Sequence, residues 1–134
     1  MDYFINRENQ LTRLMNEYRK HKSLIVAYDF DNTVYDYHGV GYKFDKVTEL
    51  LRECKELGFY LIVYTCNGEE KYKGIKKYLN NNKIPYDSIN ENAPFINFAY
   101  NKLYYNILLD DRAGLDSAYS TLKELINNIK NGEI

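Results

Sequence analysis

Apolar residues recur along this chain at two different spacings, and the alternation between the two predicts its secondary structure. Leu11, Leu14, Met15 and Tyr18 follow the i, i+3, i+4, i+7 spacing of an amphipathic helix. LIVAY, at the start of residues 24–29, is a short apolar run typical of a strand that is buried on both faces. The same two patterns elsewhere predict helices over 7–21, 45–57, 68–80 and 114–130, and strands over 24–29, 59–65, 103–109 and briefly within 84–89.

Strands that alternate with helices favour parallel pairing through right-handed crossovers. We therefore predict an α/β protein, a single three-layer Rossmann-like domain with a mainly parallel sheet. Residues 1–22 form an extra N-terminal helical extension in this prediction, and residues 23–134 form the core. Asp45 is predicted to cap the second helix, and Gly58 to end it. Residues 31–45 have no helical period and are predicted to form a loop.

Composition narrows the class of protein without defining its chemistry. Among the 134 residues, 45% are hydrophobic and 28% are charged, as in an ordinary globular domain. No apolar run reaches the roughly 20 residues that a membrane-spanning helix needs, and the N-terminus lacks the pattern of a signal peptide, so we expect a cytoplasmic protein without a membrane partner. The net charge of −1 gives no general attraction to nucleic acid, although it does not exclude a nucleic-acid substrate.

Acidic and hydroxyl side chains follow three of the predicted strands. Asp29 and Asp31 follow the first strand, Thr65 ends the second, and Asp110 and Asp111 follow the strand over 103–109. The carboxyl ends of parallel strands share one edge of the sheet, so these side chains are expected to converge. Two like charges about 4 Å apart cost roughly 4 kcal/mol at an effective dielectric of about 20. Mg²⁺ offsets such repulsion, since it prefers carboxylate oxygens, and the sequence predicts a Mg²⁺ site here.

Three motifs in this order resemble those of the haloacid dehalogenase superfamily. DFDNTV is similar to the DxDx(T/V) signature of that family, YLIVYTCN to its second motif, and NILLDDR to its acidic fourth motif. Each motif lies at the end of a predicted strand, and together they span residues 24–111. The resemblance implies a Mg²⁺-dependent phosphatase that works through an aspartyl-phosphate intermediate.

The resemblance also implies a role for each motif residue. Asp29 would be the nucleophile and a Mg²⁺ ligand. Asp31 would be the general acid and then the general base, and its backbone carbonyl would bind the metal. Thr65 would donate a hydrogen bond to the transferring phosphoryl group. Asp110 would complete the metal ligands, with Asp111 behind it or sharing that task.

Other parts of the site stay open in the sequence. The family's third motif is a lysine, for which we favour Lys102, just before the fourth motif, over Lys83 and Lys73. Arg112 is expected either to bind the substrate phosphate or to pair with the acids beside it. Asp116 is a further metal candidate, although an acid in the first turn of a helix has a simpler explanation in the helix dipole.

The gaps between the motifs are too short for the large cap domain that many relatives carry, since Asp31 and Thr65 are 34 positions apart. The resemblance is therefore to a capless member with an open site. Such a site would accept a phosphorylated small molecule or macromolecule, unless a partner subunit in a homo-oligomer covers it. Residues 35–43, YDYHGVGYK, which we call the flap, follow the nucleophile. Tyr35, Tyr37, His38 and Tyr42 are expected either to stack on a substrate ring or to pack the flap against the core.

A catalytically idle metal-binding module with the same fold is the alternative to an enzyme. The sequence argues against it, because an idle copy has no need of the second aspartate, Asp31. The identity of the substrate is left open by the sequence.

Overall fold

The computed structural model describes residues 2–98 and 101–134, and its elements follow the predicted order. A single turn of 3-10 helix, Glu69–Lys71, precedes the third helix. The strands and helices are α1 Arg7–His21, β1 Ile25–Tyr28, α2 Asp45–Glu56, β2 Tyr60–Val63, α3 Tyr72–Asn81, β3 Ser88–Ile89, β4 Ile107–Leu109 and α4 Leu115–Lys130.

The four strands form one parallel sheet in the order β3-β2-β1-β4. Tyr28, the last residue of β1, is opposite Val63 of β2 and Leu109 of β4. The three strands that precede the predicted site residues therefore end at the same level. This arrangement confirms the predicted α/β, Rossmann-like fold with its parallel sheet.

The helices all pack against one face of the sheet. Val26, Tyr28, Leu61 and Val63 point to this face and form one hydrophobic cluster with buried residues of all four helices. The opposite side, which we call the second face, presents Ile25, Ala27, Ile62 and Leu108. These side chains pack against residues of the irregular segment between β3 and β4, namely Ala93, Ile96, Leu103, Tyr104 and Tyr105. The third layer is thus an irregular segment among the described residues.

The direction of the crossovers explains this division. Going from β1 to β2 and on to β3 moves the chain one way along the sheet, so right-handed crossovers place α2 and α3 on the same face. Returning from β3 to β4 moves the chain the other way, so the connection lies on the second face. Leu103, Tyr104 and Tyr105, which the sequence assigned to the strand, pack there, and β4 begins only at Ile107.

Two predicted helix boundaries have different outcomes. Gly58, with a φ of +80°, lies just beyond α2 in the left-handed conformation that favours glycine, as predicted. The prediction for Asp45 is wrong, because Asp45 is the first helical residue, and the preceding Phe44 occupies the cap position without a side-chain hydrogen bond. Asp45 still lies in the first turn, where its charge interacts favourably with the helix dipole.

The N-terminal helix packs on the last one. Leu14 of α1 is fully buried in the main cluster, and the Ser117 hydroxyl of α4 donates a hydrogen bond to the Gln10 side chain. Arg13 also donates from Nη1 to the Asn106 carbonyl, just before β4, at 2.6 Å. The predicted extension is thus part of the fold. None of the described helices combines the length and the apolar character needed to cross a membrane.

Candidate functional site

Three carboxylates meet at the carboxyl ends of β1 and β4. Asp29 directly follows β1, and its backbone N–H donates to the Leu109 carbonyl at 2.9 Å, so the two strand ends are held together. Asp110 and Asp111 directly follow β4. One carboxylate oxygen from each of the three residues lies within 4.8 Å of the others. We call Asp29, Asp110 and Asp111 the acid cluster.

The electrostatics of the acid cluster are unfavourable in the protein alone. Burial, a hydrogen bond with Asp111 and the charge of Asp110 raise the pKa of Asp29 to about 7. Within residues 2–98 and 101–134, no lysine, arginine or histidine forms an ion pair with any of the three acids. Asp29 and Asp110 are half-buried and Asp111 is exposed, and such a set of oxygen donors without a cationic partner fits a hard divalent cation such as Mg²⁺.

Thr33 connects the first motif to the fourth. Its side chain is fully buried, and its Oγ1 accepts a hydrogen bond from the Asp111 backbone N–H at 3.1 Å. The same hydroxyl donates to Asp111 Oδ1 at 3.4 Å. Thr33 therefore fixes the position of Asp111 relative to the loop that carries Asp31.

Asp31 lies outside the acid cluster but on the same edge of the sheet. Asn67 donates from Nδ2 to Asp31 Oδ2 at 3.4 Å and to Thr65 Oγ1 at 2.8 Å. Phe30, between the two aspartates, is buried in the main core, as the alternation of side chains predicts. Asp29 and Asp31 thus stay at the edge while Phe30 anchors the loop.

The Thr65 hydroxyl is oriented as a hydrogen-bond donor. Its oxygen accepts two bonds from Asn67, one from the backbone N–H at 3.1 Å and one from the side-chain amide at 2.8 Å. A hydroxyl has two lone pairs and one proton, so both acceptor positions are filled. No residue of the described chain accepts the remaining proton, which is thus free for a ligand oxygen.

Asn90 holds the backbone of Thr65 from the side of β3. Its Oδ1 accepts from the Thr65 N–H at 2.9 Å, and its Nδ2 donates to the Thr65 carbonyl at 2.8 Å and to the Tyr72 hydroxyl at 2.9 Å. The amide side chain therefore continues the pairing of β2 with β3 by one residue, as a peptide group would. Asn90 has a φ of +54°, a conformation that asparagine tolerates better than most residues.

Lys102 lies beside Thr65 at the same edge. An open polar pocket with a volume of about 330 Å³ is lined by Lys102, Thr65, Asn90 and Asn92, among others. Lys83 lies in the connection between α3 and β3. This connection enters the sheet at the amino-terminal edge of the strands, because the Asp87 N–H donates to the carbonyl of Leu61, early in β2. Lys83 is therefore remote from the acids.

The remaining candidates lie at the periphery. Lys73, in the first turn of α3, lines neither the polar pocket nor the pocket beside Asp31. Arg112 is exposed and forms no ion pair in the part of the chain that the structure describes, although its N–H donates to Asp110 Oδ1 at 2.9 Å. Asp116 lies in the first turn of α4, outside the acid cluster.

The flap residues divide between the two roles considered from sequence. Tyr35 packs on the core, with its ring stacked on that of Phe30 at a centroid distance of 4.9 Å. Tyr37, His38 and Tyr42 are exposed, and the rings of Tyr37 and His38 touch edge to face. Packing thus accounts for Tyr35 and leaves the other three rings accessible.

Comparison with known proteins supports the fold alone. No family model and no curated protein matches the chain. A conserved protein from Bacteroides thetaiotaomicron has a similar structure, with a TM-score of 0.60 and 20% identity over 76% of this chain and 91% of that chain. A crystallised target protein from Vibrio cholerae matches with a TM-score of 0.39 and 24% identity over 80% of this chain and 98% of that chain.

Sequence reasoning missed three residues that organise the site. Thr33 stands in the quoted DFDNTV motif and Asn67 in YLIVYTCN, so the signal was present but no role was assigned to either. Asn90 lies in a segment without periodicity, and only the folded chain places its amide beside Thr65.

Proposed function

We propose that this protein is a capless, haloacid-dehalogenase-like phosphatase that hydrolyses phosphoric monoesters with the aid of Mg²⁺. The observation that carries the proposal is the meeting of Asp29 with Asp110 and Asp111, with Asp31 and Thr65 at the same edge of the sheet. A nucleophile, a proton donor and a phosphate-binding hydroxyl are what a two-step phosphoryl transfer requires. The three motifs in family order support the same conclusion.

In the first step, an Asp29 carboxylate oxygen attacks phosphorus, and the bond from phosphorus to the alcohol oxygen breaks. Asp31 donates its proton to the departing oxygen, so the alcohol leaves neutral. In the second step, Asp31 accepts a proton from water as that water attacks phosphorus. The acyl-phosphate bond breaks, which releases phosphate and restores the Asp29 carboxylate.

The acid cluster and the residues around Thr65 supply the electrostatic part. Asp29, Asp110 and the backbone carbonyl of Asp31 would hold Mg²⁺, with Asp111 fixed beside them by Thr33. Bound there, Mg²⁺ would neutralise phosphoryl oxygens and favour the ionised form of Asp29. Thr65 donates its free proton to a phosphoryl oxygen, and Lys102 approaches from the polar pocket to balance the remaining charge. Arg112 is a further phosphate ligand at the exposed rim.

The experiment is phosphate release from a panel of phosphoric monoesters, with Mg²⁺ and with EDTA. Wild-type protein should turn over at least one ester only when Mg²⁺ is present. Asp29→Asn should abolish turnover. Asp31→Asn should retain Mg²⁺ binding, measured calorimetrically, and slow turnover about 10²- to 10⁴-fold, because it removes the proton donor.

The result that contradicts the proposal is a folded wild-type protein that binds Mg²⁺ and hydrolyses no ester of the panel. That result would favour the catalytically idle metal-binding module. The proposal includes a cytoplasmic location and a phosphorylated substrate that enters an open site, with a homo-oligomer as one way to cover it.

A further inference from the structure

A second pocket opens beside Asp31, and Lys102 does not line it. Its volume is about 530 Å³, within the range of small-molecule sites. Asp31 and Asn67 are among its lining residues. Tyr35 and Tyr37 of the flap line one side, and the beginning of α3 lines the other. We call this space the aryl pocket.

The inner wall of the aryl pocket is aromatic and already in place. The rings of Tyr35 and Tyr78 meet edge to face at 4.9 Å, and Phe30 contacts both. The Tyr78 hydroxyl donates to the Val34 carbonyl at 3.1 Å, which ties α3 to the loop after Asp31. A planar ring that enters here meets aromatic side chains that are already held in place, so these side chains lose little conformational entropy on binding.

The outer part of the lining carries an exposed ring on the flap side and one charge of each sign on the side of the 3-10 turn. Tyr37 is 59% exposed, and its described aromatic neighbour is His38, at a centroid distance of 5.0 Å. Glu70 and Lys71 of the 3-10 turn also line the pocket. An exposed tyrosine at the mouth of a pocket is suited to stack on a ligand ring.

Gly74 keeps this pocket open. It lies inside α3, where glycine destabilises a helix by about 1 kcal/mol relative to alanine. A Cβ built on Gly74 would meet no atom within 4 Å, so packing does not require a glycine at this position. Gly74 lines the aryl pocket one turn after Lys71. A larger side chain there would project into the space between α3 and the flap.

We propose that the aryl pocket binds the alcohol portion of the substrate, and that preferred substrates are phosphomonoesters whose alcohol carries a planar aromatic ring. The inference rests on the proposed phosphatase function, in which Asp31 protonates the departing oxygen. That oxygen lies next to Asp31, so the group attached to it extends into the aryl pocket. Both an aryl phosphate and a nucleoside monophosphate have the required ring.

The test compares three esters in the presence of Mg²⁺: a nucleoside 5′-monophosphate, phenyl phosphate and glycerol 3-phosphate. The first and the last release primary alcohols of similar acidity, so their ratio reports the ring and not the leaving group. Stacking on one aromatic side chain contributes about tenfold in affinity. Wild-type protein should therefore have a kcat/KM about tenfold or more higher for a ring-bearing ester than for glycerol 3-phosphate.

Gly74→Leu should lower kcat/KM for ring-bearing esters about tenfold or more, mainly through KM, and leave glycerol 3-phosphate within about twofold. Its melting temperature should not fall, since leucine is the better helix former. Lys76→Leu is the matched control, since it adds the same exposed side chain to α3 outside the aryl pocket. Tyr37→Ala tests the opposite wall at an exposed position, and it should lower kcat/KM for the ring-bearing esters.

The outcomes separate the two proposals. If wild-type protein hydrolyses no ester of the wider panel, the phosphatase function fails, and the substrate inference fails with it. If it hydrolyses other esters of that panel but neither ring-bearing ester, only the aryl pocket is overturned. If glycerol 3-phosphate is hydrolysed as well as the ring-bearing esters, or if Gly74→Leu affects all three equally, the aryl pocket is overturned while the phosphatase stands. A larger effect of Gly74→Leu on phenyl phosphate places the ring next to the scissile oxygen, and a larger effect on the nucleotide places it further out.

Discussion

Replacing Asn90 by alanine should destabilise the protein more than its position in an irregular segment suggests. The change removes three hydrogen bonds of 2.8 to 2.9 Å, two to the Thr65 backbone and one to the Tyr72 hydroxyl. At about 1 kcal/mol each, they contribute about 3 kcal/mol. Alanine at a φ of +54° adds about 1 kcal/mol of backbone strain, which gives a total of about 4 kcal/mol.

Urea denaturation of wild type and variants measures this loss. Asn90→Gly removes the same hydrogen bonds without the strain, so it should lose about 3 kcal/mol. Lys83→Ala is the matched control, because Lys83 has a φ of +55° and its side chain makes no hydrogen bond to any described residue. It should cost close to nothing, because lysine already has the Cβ that is strained at this φ. If Asn90→Ala is no less stable than Lys83→Ala, the side chain of Asn90 does not hold Thr65, and the reasoning is refuted.

Three further predictions concern charge and burial. Mg²⁺ should raise the melting temperature more at pH 8 than at pH 5, because protonation of Asp29, whose pKa is about 7, competes with the metal. The metal-free protein should lose stability as the pH rises from 5 to 8, because the folded state favours the protonated carboxyl. Equal shifts of the melting temperature by Mg²⁺ at both pH values would contradict this. Burial favours the neutral form of Glu53, but hydrogen bonds from Lys123 and Lys130 outweigh it and lower the pKa. Glu53→Gln should therefore cost about 1 kcal/mol at pH 7 in urea denaturation, and this cost should shrink only as the pH falls below the ordinary glutamate range and through the lowered pKa. Thr33→Val should cost about 1 to 3 kcal/mol of stability and weaken Mg²⁺ binding, as measured by calorimetry, because it removes the bond to Asp111. Thr121→Val is the control, since it removes a buried hydroxyl that has no partner among the described residues, and it should be neutral or stabilising. Equal costs for the two variants would argue against the bond to Asp111.

The sequence predicts the elements whose environment is encoded locally. The run from Leu24 to Tyr28 is apolar throughout, and β1 is accordingly buried on both faces. The edge that gathers the acids follows from this, since parallel strands end on the same side of a sheet. The prediction of a strand from its apolar residues fails where an irregular segment is equally apolar because it packs on the sheet. Leu103 and Tyr105 have the same pattern as the strand that follows, but they cover the second face without pairing.

Polar contacts between distant segments could not be predicted from the sequence. Asn67 and Asn90 act on Thr65 through single amide groups, and no periodicity or composition marks such a contact. The same holds for the aryl pocket, since the open space above Gly74 depends on how the flap lies against α3. Hydrophobic pattern sets the elements and their faces, and tertiary geometry decides which polar atoms meet.

The place of β4 in the sheet has a consequence for the order in which a newly made chain acquires its chemistry. Synthesis delivers Asp29, Asp31 and Thr65 early, and β1, α2, β2 and α3 can assemble from the first 90 residues. Asp110 and Asp111 follow β4, which adds to the edge of the sheet beside β1 and packs with α1 and α4. Until residues 107–111 have left the ribosome, the nascent polypeptide cannot place two of the three acids. Completion of the sheet and assembly of the acid cluster are therefore the same event.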